Sequence, residues 1–187
     1  MRGFPGDELA MWSRPRPGKR GKGMISKKVK AALEGHVGAE LESAYLYLAM
    51  SAWCEVNAFK GFGRWMRVQF EEELAHATKM LDYLLSRGSA VSFGPLEKPP
   101  AGFGSILDVF EKTLEHERQV TGRVHRLYDL AGAEKDTATQ VFLQWFVTEQ
   151  VEEEARVSEI VDKLRMVSDR PGAALYLDKE YGKRAKA

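Results

Sequence analysis

Apolar residues recur along four long segments of this chain at alternating steps of three and four. The first seam runs Leu33, Val37, Glu40, Ala44, Tyr47, Ser51, and the second Met66, Gln69, Glu73, His76, Met80, Tyr83. The third runs Ile106, Phe110, Thr113, Glu117, Val120, Val124, Leu127, and the fourth Leu143, Phe146, Gln150, Glu153, Val157, Ile160, Leu164. Such steps keep side chains on one face, so each segment predicts an amphipathic helix. A carboxylate interrupts each seam near its middle: Glu40, Glu73, Glu117 and Glu153. No seam position is Lys or Arg. A buried carboxylate without a partner is destabilising by several kcal/mol. Four of them at similar depth call for cations from outside the chain. Two divalent metal ions would balance them.

Punctuation residues set the boundaries. Helix A is expected from an N-cap near Ser26 to about Asn57, with Gly61 and Gly63 marking the next turn. Helix B is expected from about Phe62 to Arg87, closed by Gly88 at C′. Residues 88–104 hold three prolines and four glycines and cannot continue a helix. Helix C should start near Ser105 and end before Gly132. Helix D should run from Lys135 or Asp136 to about Ser168, where Pro171-Gly172 breaks it. A short fifth helix is expected over Ala173–Tyr181. The A–B and C–D links are short, so each pair predicts an antiparallel hairpin. Helix B should be roughly 35–40 Å long, and the B–C link of about 16 residues can span ~50 Å. That link can run the length of the bundle and set C parallel to B. The fold class is therefore all-α: a four-helix bundle with one long crossover and a short fifth helix.

Composition narrows the picture. A chain of 187 residues fits one domain with a full core. No apolar run approaches the ~20 residues of a membrane span, so no membrane partner is expected. The single cysteine, Cys54, excludes an internal disulfide framework and fits a reducing, cytoplasmic setting. It sits in an apolar stretch and reads as a small core residue. Residues 1–23 carry six basic and two acidic residues, which leaves −3 on the remainder of a chain with net charge +1. The body is thus not expected to bind nucleic acid. The leader is rich in Gly, Pro and Arg, has no helical period and is expected to be disordered. Arg20-Gly21-Lys22-Gly23 is what a purine-rich ribosome-binding site would encode if read in frame. Met24 then opens a regular helical sequence. The expectation is a start at Met24, a leader over 1–23 that is a translated upstream stretch or a cloning remnant, and one domain over 24–187.

Glu73-Leu74-Ala75-His76 places a carboxylate and an imidazole at i, i+3, where both can hold one ion. Alone the pattern is weak. Its position inside an apolar seam gives it weight. With Glu40, Glu117 and Glu153 it forms an oxygen-rich set with one nitrogen, which suits iron or manganese; without thiolates, copper and iron–sulfur sites are not expected. Gln150 lies one turn before Glu153 and could orient a bound water or dioxygen. Tyr47 lies two turns beyond Glu40 and is either a core aromatic or a redox-active neighbour. His36, His116 and His125 read as surface or supporting residues rather than ligands. Four histidines without zinc spacing argue against a structural zinc site.

Longer motifs carry a resemblance. Met50-Ser51-Ala52-Trp53-Cys54, Glu71-Glu72-Glu73-Leu74-Ala75-His76, and the run from Phe142 through Gln144-Trp145-Phe146 to Glu152-Glu153-Glu154 resemble the non-haem bacterial and archaeal ferritins. The resemblance covers nearly everything after the leader. It implies a di-iron ferroxidase site: Glu40, Glu73 and His76 would hold the first iron, and Glu73, Glu117 and Glu153 the second, with Glu73 bridging. Gln150 and Tyr47 would stand beside it. Glu72, Glu149 and Glu152, with Glu153, would match a third iron site. Implied with these are Fe²⁺ and O₂ as substrates, ferric mineral as product and a hollow shell of twenty-four subunits. Bacterioferritins carry a second Glu-x-x-His on the last bundle helix. Glu149 to Glu154 contains no histidine, so no haem is expected. One cysteine cannot build the iron domain of a rubrerythrin. Two readings compete with storage. One is a detoxifying or encapsulated ferroxidase without its own cavity. The other is a metal-free structural bundle, against which the seam carboxylates count.

Overall fold

The computed structural model describes residues 25–167 and 170–184. The expectations about the leader and Met24 lie outside these residues. Five helices follow one another: α1 (Lys27–Val56), α2 (Lys60–Ser86), α3 (Ile106–Ala133), α4 (Thr137–Met166) and α5 (Pro171–Tyr181). Among the described residues there is no strand.

The helix starts follow from local chemistry. Ser26 Oγ accepts from the Val29 amide at 3.2 Å. Ser105 and Asp108 form a reciprocal capping box. Asp136 accepts from the Thr139 amide at 3.1 Å. At the end of α2, Gly88 takes a left-handed conformation at φ 71°, which releases the chain into the crossover.

Two glycine readings are corrected. Gly61 and Gly63 do not form the first turn; they lie inside α2. The left-handed residue of that turn is Ala58, at φ 66°. Gly61 is needed for close approach instead, because a Cβ there would sit 1.8 Å from the Asp178 carbonyl oxygen. Asp178 of α5 accepts from the Gly61 and Phe62 amides at 3.0 and 2.7 Å. It caps a helix whose own N-cap, Phe59, supplies no side-chain bond. Likewise α3 runs through Gly132 to Ala133, and Lys135, at φ 58°, makes the turn into α4.

Contacts fix the directions. Lys28 at the start of α1 pairs with Glu134 just past the end of α3 at 3.2 Å. Tyr83 near the end of α2 meets Thr139 at the start of α4 at 2.9 Å. With α1 and α2 joined as a hairpin, α2 and α3 run parallel. The crossover donates from the Ser92 amide to Glu34 at 3.1 Å and packs Phe103 against Trp53 with ring centres 6.4 Å apart. Glu34 and Trp53 stand about 28 Å apart along α1, so the link does traverse the bundle.

The apolar core is divided. One cluster includes Tyr47, Met50, Cys54, Phe62, Trp65, Phe110, Val157 and Ile160. The other includes Leu33, Val37, Met80, Leu84, Val124, Leu143 and Phe146. Between them lies a buried polar layer formed by all four bundle helices, with Glu40, Gln69, Glu73, His76, Glu117, Gln150 and Glu153. Among the described residues no helix is long and apolar enough to cross a membrane.

Candidate metal centre

The i, i+3 spacing on α2 and the inward face of α1 bring three donors together. One ligand atom from each of Glu40, Glu73 and His76 lies within 4.8 Å of the others, and all three residues are buried. His76 Nδ1 stands 3.7 Å from Glu73 Oε2. The His76 ring is held edge-on by Trp145 and Phe146, at 5.3 and 6.1 Å between ring centres. Glu40 Oε2 is buried with no donor facing it except a proton it can share with Glu73. Such an oxygen is destabilising by about 1–3 kcal/mol when nothing occupies its lone pairs, and a cation among the three donors would satisfy it.

Glu117 and Glu153 stand outside this trio, each engaged by the chain's own donors. Tyr47 donates its hydroxyl to Glu117. Gln150 Nε2 donates to Glu117 Oε2 at 3.2 Å and to the Glu117 carbonyl at 3.3 Å. Glu153 accepts from Gln69 Nε2 at 3.0 Å and pairs with Arg156 at 2.7 Å. Gln69 also reaches Glu73 Oε1 at 3.3 Å, so it joins the two sides. The pairing with Arg156 corrects one inference from the sequence. The seams hold no Lys or Arg, yet Arg156 reaches the layer from off the seam and partly compensates Glu153.

Protonation follows from burial. Burial pushes Glu73 up to about 8, helped by the charge of Glu40. Burial also raises Glu40, Glu117 and Glu153, with Arg156 opposing it at Glu153. At His76 burial disfavours the imidazolium, but Glu73 and Glu40 outweigh it and push the group up to about 9. The metal-free layer thus retains protons at neutral pH, and a binding cation must displace them. Burial raises the Tyr47 phenol, which keeps it protonated and donating.

The other candidates separate. His36 is buried, not on the surface, and its Nε2 lies 2.9 Å from Glu40 Oε1; burial pushes it down to about 4. His116 pairs with Ser43 Oγ at 2.7 Å and sits edge-on to Tyr47. His125 is exposed. Cys54 is a buried core residue whose thiol burial pushes up to about 12. Glu72 is ion-paired to Arg184, Glu149 is half-buried near enough to His76 to favour its charge, and Glu152 is exposed. Among the described residues these three do not converge on a second trio.

Three supporting residues were not assigned roles from sequence. Gln69 was visible one turn before Glu73 in the seam. Arg156 stands three residues after Glu153, a spacing that permits an ion pair. Arg184 had no sequence signal, because it lies 112 residues from Glu72.

Comparison with known proteins agrees with this geometry. A family model described as a ferritin-like domain matches residues 30–167. A bacterial non-heme ferritin of Bacteroides fragilis is 44% identical over 161 residues, covering 86% of this chain and 100% of that protein. One from Campylobacter jejuni is 41% identical, covering 84% of this chain and 94% of its own. An open pore ferritin from Archaeoglobus fulgidus superposes with a TM-score of 0.85 at 48% identity, covering 86% of this chain and 99% of its own. Matched along its whole helical bundle, the chain belongs to the ferritin family.

Proposed function

We propose that this protein is an iron-storage ferritin with ferroxidase activity. The observation that carries the reading is the buried trio Glu40, Glu73 and His76, with a Glu40 oxygen open to a cation, in a polar layer that holds two further carboxylates. Two ferrous ions are the substrate. The first takes Glu40, Glu73 and His76. The second takes Glu117 and Glu153 and shares Glu73. Each ion gives one electron to dioxygen, which is reduced to the peroxide level. Tyr47 and Gln150 orient Glu117, and Gln150 presents an amide to the oxidant. The apolar clusters above and below keep the site dry, which strengthens every charge interaction in it. Glu72, Glu149 and Glu152, with Glu153, supply a third, more exposed iron site.

Storage needs a cavity, and a homo-oligomeric shell of twenty-four subunits provides one. Exposed apolar side chains support assembly: Leu85, Phe93, Val141 and Tyr176 are 53%, 62%, 61% and 69% exposed in the isolated chain. Contacts between subunits would cover side chains of this size. The setting proposed is cytoplasmic.

Anaerobic Fe²⁺ titration of the apo protein, followed by oxygen, tests the reading with absorbance and particle mass recorded together. The expected result is tight uptake of two ions per subunit, rapid oxidation, and a shell that retains ferric mineral. Oxidation without retention, by a small oligomer, would favour a detoxifying or encapsulated ferroxidase. No uptake and no thermal stabilisation by Fe²⁺ would leave a structural bundle.

A further inference from the structure

The C-terminal segment carries a cation into the edge of the centre. Arg184 ion-pairs through Nη2 with Glu72 Oε2, and its Nη1 donates to Gln69 Oε1 at 2.8 Å. Its guanidinium lies over the Trp65 ring at 4.7 Å. Both members of the ion pair are largely buried, with side chains 13% and 11% exposed. The other Glu72 oxygen is buried without a hydrogen-bond partner. Arg184 is held there by the helix before it. Asp178 caps α2, the Tyr181 ring stacks on Phe62 at 6.1 Å, and Arg64 donates to the Gly182 carbonyl at 3.4 Å.

Gln69 makes this contact consequential. Its carbonyl oxygen accepts from Arg184, while its amide nitrogen donates to Glu153 and Glu73. A single side chain thus links the C-terminal arginine to carboxylates on both sides of the polar layer. A guanidinium fork suits this position, because one nitrogen can neutralise a carboxylate while another fixes an amide.

We propose that Arg184 is an internal cation standing in for the third metal ion. It neutralises Glu72 in the metal-free protein, and a divalent ion that takes Glu72 must displace it. This rests on the reading that Glu72 belongs to a third site. A guanidinium on Oε2 and a divalent ion on Oε1 of one largely buried carboxylate repel each other at short range, which favours release of the more weakly held monovalent group. Filling the site therefore expels Arg184, loosens the segment after Tyr181, and frees the Gln69 carbonyl. The first ion needs no such exchange. The second meets Arg156 at Glu153, and the Arg156 side chain, 31% exposed against 13% for Arg184, is released to water more easily. The C-terminal segment sets the order of loading: the pair first, the third ion last and weakest.

Calorimetric titration with Zn²⁺, a redox-inert probe, tests this on the assembled full-length protein. Wild type should show two tight ions and one weak ion per subunit. Arg184→Gln should tighten the weak one by about ten- to a hundredfold, the scale of a lost charge-assisted contact, and should alter the tight pair much less, because Arg184 reaches its carboxylates only through Gln69. Glu72→Gln should abolish the weak ion in both backgrounds. Retention of the weak ion in Glu72→Gln would refute the third-site reading itself. Loss in Glu72→Gln, with unchanged or weaker binding in Arg184→Gln, would leave that reading intact and overturn the competition. Should Arg184→Gln not assemble, amide exchange in the wild type decides. Protection at residues 182–184 should fall only between the second and third equivalents of Zn²⁺. Protection that persists at the third equivalent would mean Arg184 is not displaced.

Discussion

The two sides of the polar layer solve the burial of acids in opposite ways. On one side Glu40, Glu73 and His76 face one another, and a Glu40 oxygen faces no donor except a proton it can share with Glu73. On the other, Glu117 and Glu153 are met by Tyr47, Gln150, Gln69 and Arg156. The first side leaves donors open to a cation and, without one, destabilises the protein. The second is satisfied without metal, so an entering ion must unpick bonds already made. On the proposed reading, two ions in one layer should therefore enter in order, the trio first.

The largest effect should come from the residue common to both sides. Glu73→Ala should slow the fast phase of iron oxidation by about a hundredfold or more, since misplacing reacting groups by 1 Å already has an effect of that order. Slow mineral growth on other surfaces should persist. Stopped-flow absorbance with two Fe²⁺ per subunit gives the rate. A wild-type fast phase in Glu73→Ala would dissolve the distinction between the sides, because no bridging ion pair would then exist.

Tyr47→Phe should act on the second side alone. Losing the hydroxyl that holds Glu117 should weaken the second ion or slow oxidation by about tenfold, the lower end for removal of an outer-shell partner. Affinity for the first ion should stay within about twofold on the same argument. Equal weakening of both ions would show that Tyr47 supports the layer as a whole.

Stability of the metal-free protein separates the sides thermally. Glu73 and His76 are both raised, from 4.5 to about 8 and from 6.5 to about 9. Stability contributed by a raised group is complete below its unfolded value and is lost as pH rises through its folded value. The apo protein should therefore melt lower at pH 9 than at pH 6, and bound metal should reverse the loss. At pH 8, replacing Glu40, Glu73 and Glu117 together by Gln should raise the apo melting temperature by about 3–10 °C, since burial raises all three carboxylates and an amide needs no proton to stay neutral. Glu153→Gln alone should give no gain, because it leaves Arg156 half-buried without its partner. Differential scanning calorimetry of the two variants beside wild type resolves the two cases. A gain at Glu153 as large as at the other three would mean the Arg156 pair contributes nothing.

How much of this was legible in the chain depends on the range of each interaction. Seam spacing located the four helices and the polar layer, because burial on one helix face is a local, periodic property. The crossover and the parallel α2 and α3 followed from link length alone. The glycines misled at two turns. A flexible residue near a helix end reads as a turn, yet Gly61 is required by Asp178, which comes 117 positions later. The same holds for the site. Glu73 and His76 could be paired from their spacing, and Glu40 from its seam. That Glu117 is held by Tyr47, and Glu72 by Arg184, depends on contacts between segments far apart in the chain that no local pattern encodes.

The smallest effect should come from the exposed flank, which tests whether the comparison ends at the core. Glu149 is half-buried and Glu152 exposed, while Gln150 and Glu153, beside them on α4, are buried. Side chains at positions 149 and 152 can meet an ion from beside the layer, but they cannot bridge its centre. Glu149 is near enough to His76 to favour its charge, so removing it should alter the first side only weakly. In Glu149→Ala or Glu152→Ala, the first turnover should stay within about threefold of wild type, as expected when a neighbouring charge is lost but no ligand of the pair. Oxygen consumed per iron, and the rate of later turnovers, should change instead, because those depend on where the third ion goes. Stopped-flow at a limiting two Fe²⁺ per subunit, paired with an oxygen electrode at higher loading, reads both quantities. A Glu149→Ala protein with no fast phase would place Glu149 among the ligands of the pair, and the asymmetry between the two sides would then have to be redrawn around α4.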